Sequence, residues 1–282
     1  MKLETIKPAK SLNKAYFKQS VTREQIEIFK AELQKAFHHI DEKQDEEYHK
    51  NIISDLFKAV YCKDKYLVNV NKREDLVIRL GNTPKDEVGV ILEFKKPTEK
   101  RDMVSKTNAN VKALQELVLY YLRQTVDGNN HNIKHLIVTN IYEWFIFDGV
   151  WFEKNIYRNS KLKKEFESWK VSGTDTKHFY DHIAAKYLAE FKDEVPCTYF
   201  NLKDYEKKIT NDNKKDDNDL IDLYKILSPE HLLKKSFVND SNTLNKDFYN
   251  ELLYIIGLEE SNETAKKPFV GLQQKNATKD RL

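Results

Sequence analysis

The feature that most constrains the fold is a change in hydrophobic spacing along the first 150 residues. From Thr22 to Ile40 apolar residues recur at helical intervals behind Thr22 as a candidate N-cap, and a second helix is expected from about Asp45 to Val60. Runs rich in β-branched and apolar residues then predict strands at 66–70, 75–80 and 88–94. A chain that changes period in this way is expected to stack helices on a sheet.

The second part of this region repeats the change of period. Residues 108–125 have helical spacing, and strands are expected at His135–Thr139 and Trp144–Phe147. The order α, α, β, β, β, α, β, β predicts an α/β fold with a mixed sheet flanked by helices.

Beyond about residue 160 the pattern favours helices separated by polar loops. We therefore expect one domain over residues 1–160, a helical region over 161–260, and a flexible tail over 261–282, where periodicity is lost. The helices expected after the boundary are 177–191, 220–227 and 247–256.

Composition excludes some classes of protein and leaves others open. With 40% apolar residues, the chain can fill a core, and its net charge of +3 is too small to identify a nucleic-acid partner. Cys62 and Cys197 lack the paired spacing of a zinc site or a disulfide framework. The N-terminus has no continuous apolar stretch, so we expect a cytoplasmic protein.

The candidate chemistry lies in Asp75, followed eighteen positions later by Glu93, Phe94 and Lys95. Side chains alternate along a strand, so Glu93 and Lys95 share one face. If the two strands pair through a turn at 82–87, Asp75 falls beside Glu93.

Two carboxylates and one ammonium group suit the hydrolysis of a phosphodiester. Asp75 and Glu93 would be ligands of Mg²⁺, for which Mn²⁺ can substitute, and Lys95 would lie beside the attacking water and the scissile phosphate. The alternative is that Glu93 and Lys95 form only the solvent face of a half-exposed strand. The apolar run around them favours the functional interpretation, because charges in a buried strand are costly.

The strand pair Asp75-Leu76-Val77-Ile78 and Ile91-Leu92-Glu93-Phe94-Lys95-Lys96-Pro97 resembles the PD-(D/E)xK nuclease superfamily. The resemblance implies an αβββαβ core and a Mg²⁺-dependent DNA endonuclease. Glu74 stands where the superfamily motif has proline.

More narrowly, the first 150 residues look like the N-terminal nuclease domain of type IIG restriction-modification enzymes, and Leu223–His231 with 248–257 is similar to their helical connector. That likeness implies double-stranded DNA as substrate, and a methyltransferase and target-recognition domain in a longer chain or a separate subunit. We expect a truncated chain, because no methyltransferase motif is present in the 282 residues.

The resemblance also implies roles for two residues in helices. Glu47, in the helix before the strands, matches the place where relatives carry an acidic residue near the metal. Gln115 resembles the glutamine of the Q-x-x-x-Y element in the RecB branch, although the tyrosines here are Tyr120 and Tyr121.

Several interpretations remain open from the sequence. Lys96, Lys100 and Arg101 form a basic stretch that a DNA phosphate could contact, or that could simply be a solvated loop. The histidines, including His131 and His135, lack the partners of a metal site. The whole domain could also be a catalytically silent nuclease fold that binds DNA or serves as a scaffold, or a helical interaction module.

Overall fold

The structure, a computed structural model, describes residues 1–63, 65–70, 74–211, 213–235, 253, 255–256, 258–261 and 271–274. The chain divides into two compact units, Met1–Lys235 and Ser236–Leu282, which are treated separately.

From Thr22 to Asp148 the helices and strands of the first unit follow the predicted order, and one strand and two short helices that were not predicted precede them. The strands are β1 (Leu3–Ile6), β2 (Val68–Asn69), β3 (Leu76–Arg79), β4 (Val88–Phe94), β5 (His135–Thr139), β6 (Glu143–Asp148) and β7 (Val195–Asn201). The α-helices are α1 (Pro8–Ser11), α2 (Lys14–Lys18), α3 (Arg23–His39), α4 (Glu46–Phe57), α5 (Lys112–Leu122), α6 (Gly149–Phe152), α7 (Ser160–Ser172), α8 (Thr176–His178), α9 (Ala185–Ala189), α10 (Glu206–Thr210), α11 (Ile221–Ile226) and α12 (Pro229–Leu232). Short π-helical or 3₁₀ segments extend or connect several of them, at Lys58–Cys62, Arg123–Asp127, Glu153–Tyr157, Phe179–Ala184, Leu202–Tyr205 and Asp216–Leu220.

Local capping explains where the first long helices begin. Thr22 and Gln25 form a reciprocal capping box at the start of α3, so the predicted N-cap is confirmed. Asp45 caps α4 by accepting a hydrogen bond from the Tyr48 N–H, which explains why the helix begins at Glu46.

The seven strands of this unit form one mixed sheet in the order β1-β7-β6-β5-β4-β3-β2. Strands β1 and β7 are parallel, as are β4 and β5, and the other neighbours are antiparallel. Five strands, β1, β7, β5, β4 and β2, therefore run in one direction, and the last residues of the first four, Ile6, Asn201, Thr139 and Phe94, lie at one end of the sheet. We call this the carboxyl end of the sheet. The expected α/β class with a mixed sheet is confirmed.

Both faces of the sheet are covered by apolar side chains. On one face, α5, α6, α7 and the segment Phe179–Ala184 pack against residues such as Ile91 and Val138. On the other, Phe57 of α4 meets the Trp144 ring of β6, which stacks on Phe200 of β7. The central strands are consequently buried along their whole length.

The segment after residue 160 contributes a strand as well as helices. The expected boundary near residue 160 does not divide the compact unit, because β7 lies beyond it and inserts between β1 and β6. The helices expected at 177–191 and 220–227 are present as the segments Thr176–Ala189 and Asp216–Ile226.

The second unit contains an antiparallel pair, β8 (Leu258–Ser261) and β9 (Gly271–Gln274). Most of the expected tail 261–282, most of the expected helix 247–256, and the 248–257 part of the connector resemblance lie outside the described residues. In the part of the chain that the structure describes, no helix is both long and apolar enough to cross a membrane.

Candidate functional site

The β3–β4 hairpin brings Asp75 next to Glu93. Leu76 pairs with Leu92 across the two antiparallel strands, so Asp75, one position earlier, lies beside Glu93 at the carboxyl end of the sheet. The Phe94 N–H donates a 2.9 Å hydrogen bond to Asp75 Oδ2. The backbone of β4 thereby orients the Asp75 carboxylate.

Lys95 follows β4 and lies between two carboxylates. Its ammonium group donates to Glu93 Oε1, to Glu116 Oε2 of α5 at 2.8 Å, and to the Phe94 carbonyl at 3.0 Å. The backbone N–H of Lys95 donates a 2.9 Å hydrogen bond to the Thr139 carbonyl. Glu93 is 1% exposed and Lys95 5%, so this ion pair is sheltered from solvent.

Helix α4 adds a second set of charges to the same place. Glu46 and Glu47 occupy its first turn, and Lys50 lies three positions after Glu47. The Lys50 ammonium donates to Glu47 Oε2 at 2.8 Å and to Asp75 Oδ1 at 3.0 Å. Glu46 Oε1 lies 3.8 Å from the Lys95 nitrogen. Helix and sheet thus meet through charged groups.

Together these groups form what we call the carboxylate cluster. Its acidic members are Glu46, Glu47, Asp75, Glu93 and Glu116, and its basic members are Lys50, Lys95 and Lys112, the last 3.9 Å from Glu116. Five carboxylates face three ammonium groups, a formal excess of two negative charges. Such an excess in a partly buried site favours binding of a cation.

The pKa shifts of Glu93 and Lys95 also reflect the excess of negative charge in the cluster. Burial raises the pKa of Glu93, and the negative charges of Asp75 and Glu116 raise it further against the attraction of Lys95. Burial by itself would lower the pKa of Lys95, but Glu93 and Glu116 outweigh it and the pKa is raised. Lys95 therefore stays protonated, and an additional positive charge would hold Glu93 fully ionised.

Tyr120, one turn after Glu116 on α5, also borders the cluster. Burial raises its pKa well above the ordinary range, and the charges of Glu93 and Glu116 raise it further. The Tyr120 phenol is thus a neutral group beside the carboxylates.

The donor atoms suit a hard divalent cation. Glu93 Oε2 is buried and has no hydrogen-bond partner among the described residues, and Asp75 and Glu47 supply carboxylate oxygens of the kind that Mg²⁺ prefers. Within the same residues no three histidine, cysteine or acidic side chains are already arranged as a metal-ligand set. The Lys50 ammonium group donates to Asp75 Oδ1 and the Lys95 ammonium group to Glu93 Oε1, so a cation would share these carboxylates with the two lysines.

The other residues predicted from the sequence lie in α5 and in the loop before it. Gln115 donates to Asn110 Oδ1 at 3.0 Å, and its neighbour Glu116 is the residue that contacts Lys95. Lys96, Lys100 and Arg101 are exposed in the loop between β4 and α5.

The two histidines singled out in the sequence are not part of the cluster. His135 is buried at the start of β5, at the opposite end of the sheet, and its Nδ1 lies 2.8 Å from the Leu232 carbonyl. His131 is in the loop before β5, where its Nε2 lies 3.3 Å from Asn129 Oδ1.

Sequence reasoning did not single out Glu46, Lys50 or Glu116, and it named Tyr120 only as one of two tyrosines near the expected Q-x-x-x-Y element. A signal for them exists, because Glu46 and Lys50 are four residues apart, as are Glu116 and Tyr120, and residues at this spacing share a helix face. Only the docking of α4 and α5 at the carboxyl end of the sheet shows that these two faces meet Asp75 and Lys95.

Comparison with known proteins gives family matches and no individual relative. A family model described as "Domain of unknown function (DUF7149)" matches residues 6–240, and one described as "Domain of unknown function (DUF7814)" matches residues 241–282. No curated protein and no solved structure matches the chain significantly.

Proposed function

The chain belongs to the DUF7149 family, and we propose that it is a metal-dependent nuclease of the PD-(D/E)xK type that hydrolyses phosphodiester bonds in DNA. The observation that carries the proposal is the convergence of Asp75, Glu93 and Lys95 at one end of the sheet, with a buried Glu93 oxygen that has no partner among the described residues. A role in restriction of foreign DNA, with methyltransferase and target-recognition functions supplied by a further domain or subunit, belongs to the same proposal.

The order of elements around the cluster supports this class of enzyme. Helix α4 is followed by β2, β3 and β4, then by α5 and β5, which is the αβββαβ order expected of the superfamily. In this interpretation β1, β6 and β7 extend that core.

Each residue of the cluster has a role in the proposed reaction. Asp75, Glu93 and Glu47 would hold Mg²⁺, which when bound supplies Lewis-acid activation of the phosphate and of the attacking water. Lys95 would stabilise the negative charge that develops on the phosphate oxygens as water oxygen bonds to phosphorus and the bridging P–O bond breaks. Glu116 would be a positioning residue, because its carboxylate holds the Lys95 ammonium in place.

The loop after β4 offers contacts for the rest of the DNA backbone. Lys96, Lys100 and Arg101 are exposed and follow Lys95 directly, and none of the ion pairs found among the described residues involves their side chains. These three groups would contact phosphates on either side of the scissile one.

Cleavage of supercoiled plasmid in Mg²⁺ or Mn²⁺ tests the proposal. We expect the wild type to cut, and Glu93→Gln and Lys95→Met each to lose roughly a hundredfold in rate or more. Glu74→Gln is a matched control, because Glu74 is also buried, accepts a bond from Gln124, and has one oxygen without a partner among the described residues. A Glu93→Gln protein that is folded and cuts like the wild type would contradict the assignment.

A second candidate is a catalytically silent nuclease fold that only binds DNA or a partner. One observation favours it, namely that the described side chains do not already form a metal-ligand set. Titration with Mn²⁺ by calorimetry separates the two candidates. The nuclease requires Mn²⁺ binding that Glu93→Gln weakens, whereas the silent fold predicts no binding at the cluster.

A further inference from the structure

A pocket opens at the carboxyl end of the sheet, several strands from the carboxylate cluster. Its volume is about 450 Å³, which is within the usual range for sites of small ligands. Among its lining residues are Lys7, Lys106, Tyr199, Asp204, Tyr205 and Asp222. We call it the Tyr199 pocket.

The position of the pocket follows from the sheet topology. Ile6 and Asn201, the last residues of the parallel strands β1 and β7, are both in its wall, and ligands of open α/β sheets bind beyond such carboxyl ends. Three strand spacings separate β7 from β4, which is about 14 Å at the usual spacing of neighbouring strands. Pocket and carboxylate cluster therefore lie at the same end of one sheet.

Aromatic rings with lysines above them mark this end of the sheet. The Tyr199 hydroxyl donates to Glu143 Oε1 at 3.0 Å, which fixes the ring, and the Lys106 nitrogen lies 4.2 Å from the ring centroid. Nearer to the cluster, Tyr142 directly precedes β6, and the Lys203 nitrogen lies 3.9 Å from the centroid of its ring. Basic groups interleaved with aromatic faces are the usual binding elements for single-stranded nucleic acid.

The charges in the pocket suit a ligand that is anionic at one end and donates hydrogen bonds at the other. Lys7 and Lys106 are exposed, and no salt bridge within the described residues involves either. Asp204 and Asp222 lie in the same wall as Tyr205, and Asp222 is half-buried. A nucleotide has both features, with a phosphate for the lysines and base amino or sugar hydroxyl groups for the carboxylates.

We propose that the Tyr199 pocket binds one unstacked nucleotide of the DNA strand, with its base against Tyr199 and its phosphate at Lys7 and Lys106. This inference rests on the proposed nuclease function and adds a second contact of the substrate strand at the same end of the sheet as the cleaved bond. The exposed Lys106 side chain turns from the ring to the phosphate when the base takes its place. Extrusion of a nucleotide into a pocket is a known means by which proteins read a base outside the helix.

Binding of the four deoxynucleoside 5′-monophosphates, measured by calorimetry in EDTA with inorganic phosphate as a reference, tests the pocket. We expect at least one nucleotide to bind more tightly than phosphate, and Lys106→Gln and Tyr199→Leu each to weaken it by roughly tenfold. Lys163→Gln is the matched control, because the Lys163 nitrogen lies 4.4 Å from the Tyr157 ring centroid, and these residues do not line the pocket. The proposal is overturned if no nucleotide binds, if phosphate binds equally well, or if Lys106→Gln changes nothing.

A second measurement distinguishes a nucleotide in a strand from a free one. Affinity for a fluorescent single-stranded oligonucleotide, measured by anisotropy in EDTA, should fall in Lys106→Gln and stay unchanged in Lys163→Gln. If only free-nucleotide binding falls, the pocket serves free nucleotides and the strand assignment is wrong. Because neither measurement requires cleavage, absence of nuclease activity with pocket-dependent binding intact would refute the nuclease proposal alone.

Discussion

At the residue scale, the two lysines of the carboxylate cluster have different positions. Lys95 lies between Glu93 and Glu116, so it is held by buried partners. Lys50 bridges Glu47, which is 57% exposed in its side chain, and Asp75. Lys50 is thus the ammonium group that a cation approaching Asp75 from solvent would displace.

Lys50→Met tests this competition. Removing the ammonium group increases the excess of negative charge at Asp75 and Glu47, so we expect Mn²⁺ to bind severalfold more tightly, a gain of about 1 kcal/mol. The rise in melting temperature on adding Mn²⁺ should be larger than in the wild type. Lys112→Met, which removes an ammonium group from the Glu116 side of the cluster, should have a smaller effect. Equal or weaker Mn²⁺ binding by Lys50→Met would show that Lys50 does not compete with the metal.

The sequence predicts only part of this site, for a physical reason. Strand alternation and a hairpin suffice to bring Asp75, Glu93 and Lys95 together, since these rules are local. The contacts of Lys50 and Glu116 depend on how helices dock on the sheet, and no local rule determines that. The shift from Gln115 to Glu116 is one residue, or about 100° around a helix, and only packing decides between them.

At the element scale, β7 is the strand that sequence patterns miss. It contains Pro196, and proline usually argues against an interior strand because it cannot donate to a neighbour. The pairing of β6 with β7 ends at Ile146 and Thr198, so Pro196 lies past the end of that ladder and needs no donor on the β6 side. Strand β1 is only four residues long and its partner is almost 200 residues away, so local periodicity gives little sign of it.

The contact of α12 with the start of β5 contains a buried histidine pair. The rings of His135 and His231 are 4.8 Å apart, and His231 Nε2 is buried without a hydrogen-bond partner among the described residues. Burial lowers the pKa of His135 to about 4. Burial, and to a lesser extent His135 and Lys234, lowers the pKa of His231 to about 3. Both rings are therefore neutral at pH 7, and the fold resists their protonation.

The histidine pair makes the protein less stable in mild acid. In the unfolded chain these rings bind protons below about pH 6.5, while in the folded protein they do so only near pH 4 and below. Stability is therefore full above pH 6.5 and falls as the pH drops, by roughly 2 kcal/mol for each ring between pH 7 and pH 5. In His231→Phe we expect the free energy of unfolding to fall only about half as much between pH 7 and pH 5 as in the wild type, which urea unfolding at both pH values measures. His182→Phe, in an exposed histidine pair, should keep the wild-type slope, and an unchanged slope in His231→Phe would contradict the argument.

At the scale of the whole molecule, segments near the two ends of the first unit contact each other. Asp217 accepts hydrogen bonds from Lys30 at 2.8 Å and from Arg23, which ties α3 to the segment before α11. The buried Lys225 ammonium donates to the carbonyls of Phe17 at 2.8 Å and Gln19 at 2.6 Å. These polar contacts join the first 30 residues to residues 217–225, so the unit is continuous across residue 160.

The expected domain boundary at residue 160 can be tested directly with two fragments. Residues 1–160 lack β7, so β1 loses its partner strand and β6, with the buried Trp144 and Phe145 side chains, becomes an unpaired edge. An open edge with exposed aromatic side chains favours aggregation. We therefore expect fragment 1–160 to show no cooperative melting transition by circular dichroism and to bind a hydrophobic dye, whereas fragment 1–235 melts cooperatively. A cooperative transition in fragment 1–160 would instead establish that the first 160 residues fold alone, and that β7 is an addition to a core that does not need it.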